Sequence, residues 1–339
     1  MQVFFSDVQL RHAPREFLVR GQWKPCPEKP ERATALKEAL LAAGHQIAVP
    51  PAGERSAIAA IHEHRYLAFL ETGHERWRQL PGAAETIVPN IHPNSRGVGY
   101  PRSVVGQAGY HMADTACPID ADSLPAILAS ADCAIAAAKR VLETGEAAYA
   151  LCRPPGHHAF ADMAGGFCFI NNSAVAAQLL RGKFSKVAIV DVDLHHGNGT
   201  QGIFYTRGDV LTVSVHADPA DFYPFFWGHA AETGEGAGLG TNLNLPLPLG
   251  SGDDAFLSAL DIGLKKVREF GAEALVVALG LDAFAGDPFA GLAVTEDGFR
   301  RIASKLAALG LPSVLVQEGG YLCPELGRNL VAFLQGFQG

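Results

Sequence analysis

From about residue 147, short apolar runs alternate with longer segments in which apolar residues recur every three or four positions. The apolar runs span 147–152, 187–192, 210–215, 275–280 and 313–317. Because these runs carry apolar residues on both faces, they predict parallel strands buried between layers of helices. The segments with helical spacing span 123–143, 172–181, 254–270, 295–309 and 325–337, and a further strand is expected over 3–6. We therefore predict an α/β protein with a single parallel β-sheet and helices on both faces.

Polar side chains follow four of these predicted strands. They are Asp191 and Asp193 at the first, Ser214 and His216 at the second, Asp282 at the third, and Glu318 with Tyr321 at the fourth. The carboxyl ends of parallel strands meet at one edge of the sheet, which is where open α/β proteins bind ligands. We therefore expect these side chains to form one site.

Composition narrows the class of protein. The 339 residues are 48% hydrophobic and 18% charged, so one large core is expected and residues 1–339 are interpreted as a single domain. The net charge of -8 argues against nucleic-acid binding and suits a cationic small molecule or a lysine-bearing peptide. The six cysteines show no paired spacing, and we find no basic leader and no long apolar span. These features predict a cytoplasmic protein with reduced thiols and no membrane association.

Residues 73–118 follow neither the helical nor the strand period. Gly82, Pro89, Pro93 and Pro101 interrupt them. Long irregular segments in compact proteins are usually functional or disordered. We expect an ordered insertion that shapes the mouth of the site or forms a subunit contact.

Asp193 and His195 are the first candidate metal ligands. They lie two positions apart on a segment expected to be extended, so their side chains would point the same way. Asp282, directly after another predicted strand, is the best third ligand. Two carboxylates and one imidazole leave a position open, which is typical of a catalytic zinc site. For either residue alone, the simpler interpretation is favoured, in which Asp193 caps a helix or turn and His195 is a core histidine. The combined pattern with Asp282 reverses this and favours a metal.

His157 and His158 form a second doublet, on a Pro-Gly turn. Adjacent imidazoles diverge, so we interpret them as a pair that moves protons beside the metal rather than as ligands. Asp191 is spare and could keep one imidazole charged, whereas Asn198 could orient the other without a charge. The hypothesis is that His157 pairs with Asp191 and stays protonated, while His158 pairs with Asn198 and is the neutral base.

Tyr321 follows two glycines, and its hydroxyl is suited to meet a developing oxyanion, although an ordinary buried tyrosine fits as well. Phe167 and Tyr223 could form the walls of an apolar slot for an aliphatic chain, or simply belong to the core. With the neighbouring Gly166 and Gly319, they are the candidate substrate-binding residues. Nearby strand-end oxygens, including those of Asp191 and Ser214, could hold a monovalent cation.

Four blocks of the chain resemble the signature blocks of the histone deacetylase superfamily, in the family's order. The blocks are Arg153-Pro-Pro-Gly-His-His158, Gly165-Gly-Phe-Cys-Phe-Ile-Asn-Asn172, Asp191-Val-Asp-Leu-His-His-Gly-Asn-Gly-Thr200 and Glu318-Gly-Gly-Tyr321. The segment Glu28-Lys-Pro-Glu-Arg32, the long insertion and Asn198 are most similar to the bacterial acetylpolyamine amidohydrolases. The resemblance covers nearly the whole chain.

The resemblance implies an arginase–deacetylase fold and one zinc ion per chain. It implies zinc ligation by Asp193, His195 and Asp282, the tandem pair His157 and His158, and Tyr321 as the residue that polarises the carbonyl. It also implies Phe167 and Tyr223 as tunnel walls and a homodimer formed through the insertion. A structural potassium ion is implied near Asp191, Asp193, His195, Ser214 and Val215. One departure concerns the substrate: Val105 and Ala116 align with glutamates that meet the distal ammonium in polyamine-specific relatives.

The expected function is zinc-dependent hydrolysis of the acetyl amide of small acetylated amines such as acetylpolyamines. Acetyl-lysine proteins or peptides are the alternative substrates. A binuclear ureohydrolase would need a further aspartate pair, and the next acid after Asp282 is Asp287, which precedes a proline. A non-catalytic protein that binds acetylated amines would be expected to have lost Tyr321 or the histidine doublet, and both are intact.

Overall fold

The computed structural model describes residues 1–94 and 99–339. In chain order, the strands of this part of the chain are β1 (Gln2–Phe4), β2 (Glu16–Val19), β3 (Gln22–Pro25), β4 (Ile47–Ala48), β5 (Ala148–Ala150), β6 (Val187–Asp191), β7 (Val210–Ala217), β8 (Asn242–Leu247), β9 (Ala274–Leu279) and β10 (Ser313–Gln317). The helices are α1 (Pro30–Ala42), α2 (Arg55–Ala59), α3 (His64–Arg78), α4 (Val104–His111), α5 (Ser123–Thr144), α6 (Asn172–Leu180), α7 (Asn198–Phe204), α8 (Asp253–Phe270), α9 (Glu296–Ala307) and α10 (Leu326–Gln338).

The described residues contain one sheet of eight strands in the order β4-β1-β5-β10-β9-β6-β7-β8. Every neighbouring pair in it is parallel. The predicted class of fold is therefore confirmed. The strands β2 and β3 form a separate antiparallel hairpin.

The two faces of the sheet pack against different helices. In β10, Val314 and Val316 belong to a core that includes α5 and α6, whereas Leu315 belongs to the core on the other face, with α1, α8, α9 and α10. Alternation of side chains across a strand produces this division. Since burying one such side chain contributes about 1.5–3 kcal/mol, the wholly apolar strands can be placed only between two layers of helices.

The strand β8 was not predicted. Asn242 and Asn244 are buried on it and Pro246 interrupts its pattern, so it lacks the continuous apolar run of the central strands. It pairs only with β7, at the edge of the sheet. A proline is tolerated in an edge strand because the backbone groups on the outer side of that strand have no partner strand. A missing N–H there costs the sheet no hydrogen bond.

The insertion is more regular than the sequence suggested. The helix α3 extends into it as far as Arg78, and α4 lies within it. Ile87 pairs with Ile119 in a short bridge, and the Ala113 N–H donates to the Ala164 carbonyl at 2.7 Å. The described part of the insertion is therefore joined directly to the loop that precedes Gly166, and residues 95–98 of it lie outside the described residues.

None of the helices in the described ranges is both long and apolar enough to cross a membrane. The six cysteines are free thiols, and five of them are buried.

Candidate active site

The segment after β6 folds into two consecutive side-chain turns. The Asp193 N–H donates to Asp191 Oδ1 at 3.0 Å, and the His195 N–H donates to Asp193 Oδ1 at 2.8 Å. Aspartates commonly accept from a backbone N–H two residues further on, which bends the chain. The predicted extended geometry is therefore wrong. Asp193 does support a turn, as the simpler interpretation proposed, and it also faces His195 and Asp282.

The side chains of the three predicted zinc ligands lie close together. Nδ1 of His195 lies 3.2 Å from Asp193 Oδ1 and 3.1 Å from Asp282 Oδ2. All three side chains are buried, and their potential ligand atoms lie within 4.8 Å of one another. The other oxygens are oriented by the backbone: Leu194 N–H donates to Asp282 Oδ1, and Gly319 N–H donates to Asp193 Oδ2.

The donor set fits a divalent cation. Burial alone would lower the pKa of His195, but the hydrogen bonds and charges of Asp193 and Asp282 raise it to about 9. Two buried carboxylates thus require positive charge at this point, which a metal ion supplies. A side chain at Gly319 would overlap both carboxylates, so the glycine leaves room for this cluster. Asp193 and His195 also line a cavity of about 430 Å³, so the cluster is open toward that cavity.

The histidine doublet lies beside this cluster, and its two rings are 4.0 Å apart between centroids. His157 Nδ1 lies 2.9 Å from Asp191 Oδ2, and His158 Nδ1 lies 2.7 Å from Asn198 Oδ1. The structure thus brings together both pairs of residues that the sequence suggested. An amide oxygen can only accept, so Nδ1 of His158 carries the proton and Nε2 is left as an acceptor.

The two imidazoles have opposite electrostatic environments. Burial would lower the pKa of His157, but the charges of Asp193 and Asp191 raise it to about 10. Burial lowers the pKa of His158 well below its usual value, and the charges of His157 and His195 lower it further. At neutral pH the doublet therefore contains one charged and one neutral imidazole.

Glu318 fixes the backbone of the doublet. Its Oε2 accepts from the N–H groups of Gly156 and His157 at 2.6 and 3.0 Å, and its Oε1 accepts from the Ser173 hydroxyl at 2.8 Å. Burial raises the pKa of Glu318 to about 7. The position of Glu318 at a strand end was expected from the sequence, but this role was not.

Tyr321 is buried at the base of the cavity. Its N–H donates to Asp287 Oδ2 at 2.8 Å, and the Arg32 guanidinium lies 4.6 Å from the centroid of its ring. Within the described residues, its hydroxyl has no hydrogen-bond partner. Burial raises the pKa of Tyr321 well above its usual value, so the hydroxyl remains protonated. A protonated phenol at this position can donate a hydrogen bond to a ligand.

Arg32 belongs to a buried network that the sequence analysis did not assign to the site. Its guanidinium donates to the carbonyls of Glu318 and Gly320 and to Glu28 Oε1. Glu28 Oε2 also accepts from Arg153, at 3.0 Å. The available signal was the presence of both Glu28 and Arg32, four residues apart, in a segment that carried the resemblance.

The cavity above these groups has a volume of about 430 Å³. Its aromatic lining residues are Phe17, Phe167, Phe222, Tyr223, Phe225, Phe289 and Tyr321. Phe167, Tyr223 and Gly319 are among the residues that line this cavity, and their role in substrate binding stays a prediction. Gly166 has a φ of +52° and its backbone lies against the His158 ring, so a side chain there would be strained and would overlap that ring. An apolar slot above polar groups suits an aliphatic chain with a polar end.

Asp114 connects the insertion to this slot. Its Oδ2 accepts from the Tyr223 hydroxyl at 2.7 Å and from the Gly166 N–H at 3.1 Å, and its Oδ1 accepts from the Ala116 N–H at 2.9 Å. Ala116 lines the cavity, whereas Val105, on the first turn of α4, is outside its described lining. Neither position supplies a carboxylate.

Of the residues suggested for potassium, Asp191 and Ser214 lie on the adjacent strands β6 and β7 and pair in register, whereas Asp193 and His195 lie in the turns after β6. The Ser214 hydroxyl lies 2.8 Å from Nδ1 of His216, and the Val215 side chain is buried in the core. His196 is buried against His216, with ring centroids 4.7 Å apart. Potassium binding therefore stays a prediction.

The chain matches known proteins along nearly its whole length. The model of the Histone deacetylase domain matches residues 26–337. Over 341 residues, covering 99% of this chain and 98% of the relative, the chain is 45% identical to a Burkholderia pseudomallei protein named acetylpolyamine amidohydrolase. It is 43% identical, over 100% of both chains, to a Mycoplana ramosa protein with the same name.

The fold agrees with this likeness. The crystal structure of acetylpolyamine aminohydrolase from Burkholderia pseudomallei matches with a TM-score of 0.96 at 45% identity, covering 100% of this chain and 99% of that one. The predicted arginase–deacetylase fold is confirmed. The chain belongs to the histone deacetylase family.

Proposed function

We propose that this protein is a zinc-dependent deacetylase that hydrolyses the acetyl amide of small acetylated amines such as acetylpolyamines. The observation that carries the proposal is the pair of imidazoles with different partners, a carboxylate for His157 and an amide oxygen for His158, beside a buried cluster of three metal-type ligands that opens onto an apolar cavity. The two relatives described above share the name acetylpolyamine amidohydrolase and cover nearly all of the chain.

Asp193, His195 and Asp282 would hold the zinc ion, which when bound supplies Lewis acidity toward the acetyl carbonyl and lowers the pKa of water. The remaining chemistry belongs to the protein. His158 is neutral with Nε2 free, so it can take the proton from the attacking water. The positive charge on His157 stabilises the negative charge that develops beside it.

Tyr321 donates its hydroxyl proton in a hydrogen bond to the carbonyl oxygen as this oxygen becomes negative. An imidazolium of the doublet then returns a proton to the leaving amine nitrogen, which departs as a primary amine. The aromatic walls exclude water from the aliphatic stem of the substrate. This division assigns acid–base work to the doublet and electrostatic work to Tyr321 and His157.

The cavity is consistent with a cationic substrate. Asp114 and Asp221 line it together with Arg20, but the oxygens of Asp114 are already used by Tyr223, Gly166 and Ala116. Without acids at Val105 and Ala116, binding of the distal ammonium would depend on weaker, more exposed contacts. Acetyl-lysine peptides therefore remain the second candidate substrate.

The decisive experiment is a turnover panel of acetylputrescine, acetylspermidine, acetylcadaverine and an acetyl-lysine peptide, with the zinc-loaded protein. We expect hydrolysis of the small amines, and a loss of about 10²–10³-fold in kcat for Tyr321→Phe. Preference for the peptide would reject the proposed substrate and keep the mechanism. No hydrolysis of any of the four would reject the proposed function.

Metal counting tests the ureohydrolase alternative. Apart from the cluster already described, the described residues contain one other group of possible ligand atoms, in His157, Cys168 and Glu318. The Glu318 oxygens in that group already accept hydrogen bonds from Gly156, His157 and Ser173. We therefore expect about one zinc per chain, and two would favour a binuclear enzyme.

We also propose a cytoplasmic homodimer whose contact is formed by the 73–118 insertion, and a structural potassium ion near Asp191 and Ser214. The basis for the dimer is the resemblance of the insertion to that of the bacterial acetylpolyamine amidohydrolases. Light scattering of the intact chain tests the dimer. A stabilising effect of potassium over sodium on thermal unfolding tests the ion.

A further inference from the structure

The turn that carries Tyr321 has little rigidity of its own. Gly319 and Gly320 precede the tyrosine, and Gly320 has a φ of +109°, a conformation that favours glycine. Because glycines restrict the backbone least, several orientations of the next peptide group are sterically open to this turn. The direction of the Tyr321 side chain must therefore be determined by contacts outside the turn.

The peptide group between Gly320 and Tyr321 is held at both ends by side chains, one of which is the charged guanidinium of Arg32. Its carbonyl oxygen accepts from Arg32 Nε at 2.5 Å, and its N–H donates to Asp287 Oδ2 at 2.8 Å. A peptide group is planar, so fixing its two ends fixes its orientation and the direction of the following Cα–Cβ bond. Hydrogen bonds to charged partners are stronger than neutral ones, which suits them to this task.

The burial of Asp287 is not explained by a contribution to the stability of the fold. It is 4% exposed, and within the described residues its carboxylate forms no ion pair at 4.0 Å or less. A buried carboxylate without a cation is costly to fold. Its second oxygen accepts from the Phe289 N–H at 2.9 Å, and the Phe289 ring lies 4.7 Å from the Tyr321 ring and 5.2 Å from the His195 ring.

We infer that Asp287 is a positioning residue: by holding the Tyr321 N–H and the loop of Phe289, it keeps the Tyr321 hydroxyl at the base of the cavity. The tests of this role that measure activity rest on the proposed function, whereas the test by hydrogen exchange does not. It gives Asp287, the acid that follows Asp282 in sequence, a role other than that of a metal ligand.

The first test is the isosteric variant Asp287→Asn in the zinc-loaded protein. Its amide oxygen can accept one of the two N–H groups, while its NH2 group faces the other, so one hydrogen bond is lost. Because a displacement of about 1 Å can cost about 10²-fold in rate, we expect kcat to fall by about 10- to 100-fold. KM should change by less than about twofold, since the walls of the cavity are kept.

Two controls separate positioning from general damage. Asp253 accepts the Thr295 N–H at 2.8 Å and the Thr295 hydroxyl at 2.6 Å, and neither residue lines the cavity. Asp253→Asn should therefore leave kcat unchanged. In a Tyr321→Phe background, Asp287→Asn should lower kcat by less than about twofold, because the hydroxyl it positions is absent. An equal loss in both backgrounds would show a structural role and overturn the inference.

Hydrogen exchange supplies a readout that does not depend on activity. The Tyr321 amide should exchange slowly in the wild-type protein and faster in Asp287→Asn, with the zinc content of the two proteins equal. A rapidly exchanging Tyr321 amide in the wild type overturns the inference even if the variant does not fold. Slow exchange together with an absence of amide hydrolysis would keep the positioning role and reject the proposed function instead.

Discussion

Asn198 accepts a hydrogen bond from Nδ1 of His158 at 2.7 Å, so the partner of this imidazole is neutral. The neighbouring His157 has a carboxylate, Asp191, in the equivalent place at 2.9 Å. Two rings whose centroids lie 4.0 Å apart thus differ by one atom type in their partners. This difference allows one of them to stay uncharged and act as a base.

Replacing Asn198 with aspartate should charge that partner. We expect Asn198→Asp to raise the pKa of His158, which burial holds well below its usual value in the wild type. The acidic limb of the kcat/KM profile should therefore move to higher pH, and activity near neutral pH should fall. An acidic limb that does not move would reject His158 as the base. Asn198→Ser, which adds no charge, is the matched control.

Asp191→Asn should remove much of the support for the charge on His157. The wild-type pKa of about 10 lies above the usual value, so His157 contributes stability that is fully present below about pH 6.5 and is lost as the pH rises through about 10. The difference in unfolding free energy between wild type and variant should therefore shrink from neutral pH toward pH 10. A difference independent of pH would contradict this. The substituted amide still accepts the Asp193 N–H, so the turn is retained.

Zinc binding should depend on pH through His195. In the metal-free protein, its carboxylate neighbours raise the pKa of His195 to about 9, and a ligating imidazole must lose its proton. Affinity should then rise about tenfold per pH unit and level off near pH 9. Competition with a chelator at a series of pH values up to about 9 measures the affinity for zinc. In Asp282→Asn, we expect zinc to bind more weakly and its affinity to level off at a lower pH, because one of the carboxylates that raise the pKa of His195 is lost. An affinity that does not depend on pH would argue against these ligands.

An acid at the cavity wall should favour a cationic substrate. Ala116→Glu places a carboxylate in the lining, and we expect KM for acetylspermidine to fall by about two- to fivefold, the effect of a partly exposed ion pair. Val105→Glu, outside the described lining, should change KM little. Kinetics at low and high salt check the electrostatic origin, because added salt should reduce the effect. An equal change for both variants would contradict the positions assigned here.

Much of the fold could be predicted from the apolar runs. The strands β6, β7, β9 and β10 are buried on both faces, and their almost wholly apolar sequences indicate this burial. The edge strand β8 and the helix α4 did not, because buried asparagines and a proline in one and glycines in the other obscure the period. The two turns after β6 were missed for a different reason. Aspartates there accept from the backbone, which no apolar pattern reveals.

The sequence by itself determined which chemistry falls at the carboxyl ends of the strands, because in a parallel sheet those ends share one edge whatever the loops do. It therefore predicted that Asp193, His195 and Asp282 would meet. Only the tertiary structure decided which groups hold the others in place, such as Asp287 on the Tyr321 N–H, 34 residues apart in the chain. Such hydrogen bonds depend on how packed loops approach each other within a few tenths of an ångström, and residue order carries no record of that distance.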